Sequence, residues 1–218
     1  MFLCKYFVFL HPVKTGGTFV NRVLTQYIPS NWDVQIFPGH NPVDSIPNKY
    51  KTLPIIGFVR NPWDHYVSWY EYCVSFAKNN SGHFPPDHPF ASVSDQGRND
   101  FATTTANIMS RADKAKTGLG GVTWYYSHMF GTSCDNLKDY SGSERKIGKF
   151  ENLRNDLVAL LNETGMPKLP RLEEAILTDP PINSLARPPY QSYYDTALRN
   201  IVEERDKLII EEFNYSFD

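Results

Sequence analysis

Residues 5–18 read Lys5-Tyr-Phe-Val-Phe-Leu-His-Pro-Val-Lys-Thr-Gly-Gly-Thr18. Tyr6 to Leu10 is a short apolar, aromatic and β-branched run, which predicts a buried strand. His11-Pro12 ends it, because Pro cannot donate to a sheet ladder. Gly16 and Gly17 let the backbone turn tightly and leave their N–H groups uncovered by side chains. From Thr18 to Ile28, apolar Phe19, Val20, Val23, Leu24 and Ile28 recur at helical spacing. The order is therefore strand, glycine loop, helix. Such a loop aims backbone N–H groups and the positive end of a helix dipole at one spot, where a phosphate binds. Lys14 adds a full positive charge, and Thr15 and Thr18 add hydroxyl donors. The loop is not a Walker A motif, in which the lysine follows the last glycine. Here Lys14 precedes both glycines. The plain alternative is a glycine turn with a solvated lysine.

Outward from this stretch, further strands and helices alternate. Asp33 to Phe37 predicts a second strand, followed by the loop Pro38-Gly39-His40-Asn41-Pro42. Pro54 to Arg60 predicts a third, apolar throughout and so buried on both faces. Pro62 suits the first turn of a helix running to about Ala77, with Val67, Tyr70, Val74 and Ala77 inward. Residues 79–100 read as a long surface loop, and 100–131 as two helical pieces split near Thr117–Gly121. Lys146 to Phe150 predicts a fourth strand. Glu151 to Thr164 predicts a helix with Leu153, Leu157, Leu160 and Leu161 inward, stopped by Gly165. Residues 166–192 carry six prolines and read as an extended connector with one turn near Leu172–Leu177. Tyr194 to Phe213 predicts one amphipathic helix with a stripe of Tyr194, Leu198, Ile201, Val202, Leu208, Ile209 and Phe213. This alternation predicts an α/β fold: a single P-loop-like domain over 1–218, with a mainly parallel central sheet flanked by helices.

Composition narrows the class. The 218 residues are enough for one sizeable core, and 41% hydrophobic content marks a globular chain. A formal net charge of −2 gives no case for a nucleic-acid partner. Cys4, Cys73 and Cys134 are odd in number and widely spaced, which suggests neither a disulfide framework nor a metal knuckle and points to a reducing, cytoplasmic setting. The apolar start is interrupted by Lys5 and is too short to span a bilayer, so no membrane partner is expected. It lacks a small-residue cleavage site, so it is not read as a signal peptide. The triplets at Asn79, Asn162 and Asn214 are then read as chance matches to a glycosylation acceptor. The pattern fixes no oligomeric state.

A second constellation follows the third strand: Arg60-Asn-Pro-Trp-Asp-His-Tyr-Val-Ser-Trp-Tyr70. Arg60 stands at the strand's carboxyl end, and Ser68 lies two turns into the next helix. A guanidinium there presents a planar fork suited to phosphate oxygens. The alternative for a lone strand-end arginine is a structural ion pair. Two strand-to-helix junctions, each with a cation and hydroxyls, imply a ligand with two separate anionic groups.

The motifs, taken in order, resemble the PAPS-dependent sulfotransferases (PAPS is 3′-phosphoadenosine 5′-phosphosulfate). P-V-K-T-G-G-T at 12–18 resembles their 5′-phosphosulfate loop, and G-F-V-R-N-P-W-D-H-Y-V-S-W-Y at 57–70 resembles their 3′-phosphate motif. K-F-E-N-L at 149–153, N-S-L-A-R-P-P-Y-Q-S-Y-Y-D at 183–195 and E-F-N-Y-S-F at 212–217 are similar to later segments of bacterial and Golgi-type carbohydrate sulfotransferases. The resemblance implies transfer of a sulfuryl group from PAPS, leaving PAP, to a hydroxyl acceptor that is a carbohydrate or other small molecule. It implies that Lys14, Thr15, Gly16, Gly17 and Thr18 hold the 5′-phosphosulfate, that Arg60 and Ser68 hold the 3′-phosphate, and that His40 is the base. Lys14 is then also catalytic, and no metal is required. The chain departs from the family at His65, where a second arginine is common. The 3′-phosphate site is then either weaker or completed by the charge of Arg187 or Lys149, with Arg187 and Ser184 expected to close over the cofactor. Residues 79–145 match no family segment and are expected to shape the acceptor side.

Other residues carry weaker signals. His11 is the rival base, and its alternative is a strand-end residue packed beside the cofactor. His83, Asp87 and His88 are read as a plain surface loop rather than a metal site. Trp124, Tyr125, Tyr126 and His128 suit either an acceptor wall or core packing, and Trp63 either an adenine border or core. Glu151 is read as a helix-start residue. Two other functions are weighed against the transferase: an Mg-ATP phosphotransferase and a non-catalytic nucleotide- or glycan-binding module. The absent Walker order and the lack of a metal-binding Asp after a strand speak against the first. The joint presence of Lys14 and His40 speaks against the second.

Overall fold

The computed structural model describes residues 1–79, 84–85, 88, 90–114, 120–131, 144–182 and 186–218. In chain order the elements begin with β1 (Phe2–Leu3), β2 (Val8–Phe9), α1 (Gly17–Tyr27), β3 (Gln35–Ile36), β4 (Ile55–Val59) and α2 (Pro62–Asn79). There follow α3 (Phe101–Lys114), α4 (Gly121–Phe130), β5 (Arg145–Lys149), α5 (Leu153–Asn162), α6 (Pro170–Thr178), α7 (Thr196–Arg205) and α8 (Lys207–Glu212). Contacts group the chain into two compact units, one of Met1–Arg60 with Tyr126–Ala186, the other of Asn61–Tyr125 with Arg187–Asp218. Among the described residues, no helix is long and apolar enough to cross a membrane.

The first unit holds the whole sheet, in the order β3-β1-β2-β4-β5. The parallel core expected from the sequence is present as β2–β4 and β4–β5. The sheet is nevertheless mixed, because β1 runs antiparallel to both β2 and β3. The sequence reading missed β1. The strand expected within Tyr6–Leu10 is present as β2, and β1 pairs with it as a hairpin, with Phe2 opposite Phe9 and the Cys4 N–H donating to the Phe7 carbonyl at 3.1 Å. Its turn holds Cys-Lys-Tyr-Phe, without the Gly, Pro or Asn that usually announces one. Every residue of β4 is buried, as an apolar strand between two parallel neighbours must be. Phe9 and Phe58 meet edge to face at 6.3 Å. Around them, Phe19, Val20, Val23 and Leu24 of α1 pack with Leu157 and Leu161 of α5 and Leu172 and Ile176 of α6. Burying each such side chain contributes about 1.5–3 kcal/mol.

Helix α6 corrects the expectation of an extended connector over 166–192. Pro170 occupies its first turn, where the missing N–H costs nothing, so the proline starts a helix here. Arg154 on α5 donates to the carbonyls of Ile176 and Asp179 and so caps the other end.

The second unit is helical. The inner face of α2 is wider than the expected stripe: Trp63, His65, Tyr66, Val67, Ser68, Trp69, Cys73 and Ala77 are buried, while Tyr70 and Val74 are partly exposed. Part of 79–100 is packed rather than a surface loop, since Phe84, Ala91 and Val93 are buried and Phe84 stacks on Phe76 at 4.4 Å. The single helix expected over Tyr194–Phe213 is broken at Asp206 into α7 and α8, and Ile201 of the predicted stripe is exposed. Asp206 is fully buried and accepts hydrogen bonds from the Thr123 amide (2.7 Å), the Thr123 hydroxyl (2.8 Å) and the Tyr66 hydroxyl (2.8 Å). Burial raises its pKa, while these bonds to the carboxylate act in the opposite direction.

Candidate functional site

The candidate site lies in the first unit, at the carboxyl end of β2. The backbone of Lys14 has φ 64 and that of Gly16 φ 76, both left-handed. For a lysine this conformation costs about 1–2 kcal/mol, so neighbouring contacts must hold it. Gly16 is the N-cap of α1, and the first turn carries neither a side-chain cap nor an acidic residue. The leading N–H groups of a helix have no intrahelical carbonyl to bond, and nothing negative offsets the dipole there.

Both glycines are required by close approach. A Cβ on Gly16 would stand 2.6 Å from Leu153 Cδ2 and 3.3 Å from the Phe150 ring. A Cβ on Gly17 would stand 1.8 Å from His11 Cδ2. The loop is thus pressed between the turn before α5 and the imidazole of His11. Thr15 is fully buried, and its hydroxyl donates to the Pro12 carbonyl at 2.9 Å, so its side chain braces the loop from within. Thr18 is exposed at the helix start.

Arg60 reaches the same loop. Its side chain is buried, Nη1 donates to the Lys14 carbonyl at 2.9 Å, and the guanidinium lies 4.2 Å from the Phe150 ring centroid. Its own amide donates to the Tyr126 hydroxyl at 2.9 Å. Tyr126 is accordingly core.

Two histidines border the loop. His40 Nδ1 stands 2.7 Å from the His11 carbonyl oxygen. A carbonyl only accepts, so Nδ1 carries the proton, and in the neutral ring Nε2 holds the lone pair. The rings of His11 and His40 meet edge to face at 4.6 Å. His40 is otherwise open to solvent. Desolvation where the ring is covered lowers its pKa most, the His11 carbonyl bond opposes this, and the charge of Lys14 lowers it further. His11 is pushed down to about 3, chiefly by burial and then by His40. Its Nδ1 lies 3.1 Å from Asn21 Nδ2 on α1. Both rings are therefore neutral at pH 7, but only His40 combines a fixed Nδ1–H with solvent access. The arrangement offers an anion-binding loop end with a lysine and, beside it, a neutral imidazole.

Ser68, Arg187, His65, Trp63, Tyr125 and His88 belong to the second unit. Ser68 is buried on α2. Arg187 makes a short ion pair with Asp64, and both side chains are largely covered. His65, where a second arginine was expected, is fully buried with its ring centroid 4.1 Å from that of Trp69. Trp63 is buried, its indole N–H donating to the Arg199 carbonyl at 3.1 Å. Tyr125 packs on Trp69 at 5.6 Å. His88 lies among Phe76, Phe84 and Phe90. His83, Asp87, Cys134 and Ser184 lie outside the described residues. Among the described residues no cluster of three or more His, Cys, Asp or Glu could hold a metal.

Sequence reasoning missed Asn21 and Phe150 as site residues. Phe150 had a signal, since it stands in the K-F-E-N-L step, but nothing there says that its ring supports Arg60. Asn21 had none. Compared with family models, with curated proteins and with solved structures, this chain matches none.

Proposed function

We propose that this chain is a PAPS-dependent sulfotransferase with a P-loop-like fold, acting on a hydroxyl of a carbohydrate or other small molecule. The observation that carries the reading is the His40 Nδ1–H bond to the His11 carbonyl at the border of the glycine loop. It sets a neutral imidazole, lone pair on Nε2, beside a lysine and the start of a helix. The residues fit the group: Gly16 and Gly17 keep side chains off the loop, and no acidic residue stands in the first turn of α1. The same reading, taking account of the buried thiols of Cys4 and Cys73, assigns the protein to the cytoplasm.

PAPS supplies a sulfuryl group carried on a phosphate leaving group. His40 Nε2 takes the proton of the acceptor hydroxyl as its oxygen bonds to sulfur, a contribution of ~10²–10⁴-fold for a well-placed base. Lys14 and the amides of Thr15–Thr18 are the groups that would hold the phosphate end of PAPS and would stabilise the charge left there. Preorganised donors of this kind are usually the largest catalytic contribution. Arg60 and Ser68 are assigned to the 3′-phosphate by sequence resemblance, with Arg187 as a further cation.

Thermal unfolding with PAP, ATP and Mg-ATP tests the reading. PAP without metal at a hundred times its Kd stabilises by about 2.7 kcal/mol. Stabilisation by Mg-ATP alone, with none by PAP, refutes it.

A further inference from the structure

We propose that Arg60, seated on the face of Phe150, is a positioning residue that latches the glycine loop, so that binding at the 5′ end depends on it even for a ligand without a 3′-phosphate. The sulfotransferase reading supplies only the nucleotide probes. The latch itself stands on contacts within the first unit.

Lys14 holds a left-handed conformation that a lysine does not adopt unaided. Its carbonyl is fixed by Arg60 Nη1 at 2.9 Å, a charged donor removed from water. The Lys14 carbonyl and the Thr15 amide share one rigid trans peptide plane, so fixing one fixes the direction of the other. Phe150 closes the arrangement. Its ring lies 4.2 Å from the guanidinium, and the same ring would meet a Cβ on Gly16 at 3.3 Å. One aromatic ring therefore sets the plane of Arg60 and limits the space around Gly16. This gives the K-F-E-N-L step a role: it carries the ring on which the latch rests. A side chain serving only as a 3′-phosphate ligand would have no need to hold the carbonyl of the opposite loop.

The test uses the full chain as Arg60→Gln, Phe150→Leu and Phe150→Tyr. Two readouts are taken: hydrogen exchange without ligand at the Phe19 and Val20 amides, which donate to the Gly16 carbonyl of the loop, and affinities for PAP and 5′-AMP. Arg60→Gln and Phe150→Leu are expected to exchange at least about tenfold faster at Phe19 and Val20, the factor set by losing a charged hydrogen bond, with 55–59 unchanged. Both lose 5′-AMP affinity by about tenfold, and Arg60→Gln loses PAP affinity by more, because it also removes a ligand assigned to the 3′-phosphate. Phe150→Tyr, which keeps the ring face, retains wild-type protection and affinity. Arg60→Gln that weakens PAP, spares 5′-AMP and leaves exchange unchanged overturns the latch. If the wild type binds neither nucleotide, the cofactor reading fails, and exchange alone decides the latch: faster supports it, unchanged overturns it. Should Arg60→Gln not fold, Phe150→Leu at its partly exposed position gives the same decision.

Discussion

Adding one methyl group at Gly17 sets helix propensity against packing. Gly17 is the first residue of α1, where alanine is favoured over glycine by up to about 1 kcal/mol. The His11 ring opposes the change, because the new Cβ would stand 1.8 Å from Cδ2 and 2.4 Å from Nε2. No contact of that length survives, so the imidazole must leave its place. Overpacking of this kind costs about 1–3 kcal/mol. The displaced ring also gives up its bond to Asn21, worth about 1 kcal/mol. Gly17→Ala should therefore destabilise the protein by about 2 kcal/mol, the sum of roughly 2 for packing and 1 for the bond less 1 for propensity. In a His11→Ala background the obstacle is gone and the same substitution should be neutral or stabilising. Urea denaturation of the four proteins of this cycle gives a coupling of about 3 kcal/mol between the sites. Equal effects of Gly17→Ala in both backgrounds would refute the packing argument.

Three further predictions concern the base and the second unit. His40→Ala should keep PAP affinity within about twofold while lowering turnover ~10²–10⁴-fold, and full turnover would remove His40 as the base. The protonated ring is inactive and its pKa lies below the ordinary 6.5, so the acid limb of wild-type kcat/KM should be centred below pH 6.5. An acid limb centred above that value contradicts the burial argument. Asp206→Ala strips three partners of their acceptor and should cost about 3 kcal/mol, lowering Tm by roughly 6–12 °C. A Tm within a degree of wild type would show that this carboxylate does not hold the break between α7 and α8.

Where the sequence was legible, the reason was local. The strand before the glycine loop, α1 and β4 follow from apolar spacing and punctuation, each read within a window of about a dozen residues. Gly16 and Gly17 were legible as a turn of bare backbone because the missing Cβ is a property of the residue itself. The illegible parts depend on partners far along the chain. The turn of the β1–β2 hairpin carries no turn residue. The α7–α8 break is centred on Asp206, whose bonds come from Thr123 and Tyr66. The proline that suggested a connector begins α6.

The opening stretch, 5–18, shows the division within a single segment. Its sequence alone determined a strand, a turn that excludes side chains and a helix start, because those properties belong to the residues themselves. The tertiary structure decided that Lys14 is left-handed with Arg60 on its carbonyl, that Gly17 is bare because His11 lies against it, and that His40 keeps its proton on Nδ1. These are contacts between residues six to forty-six apart in the chain, and only the packed fold brings them together.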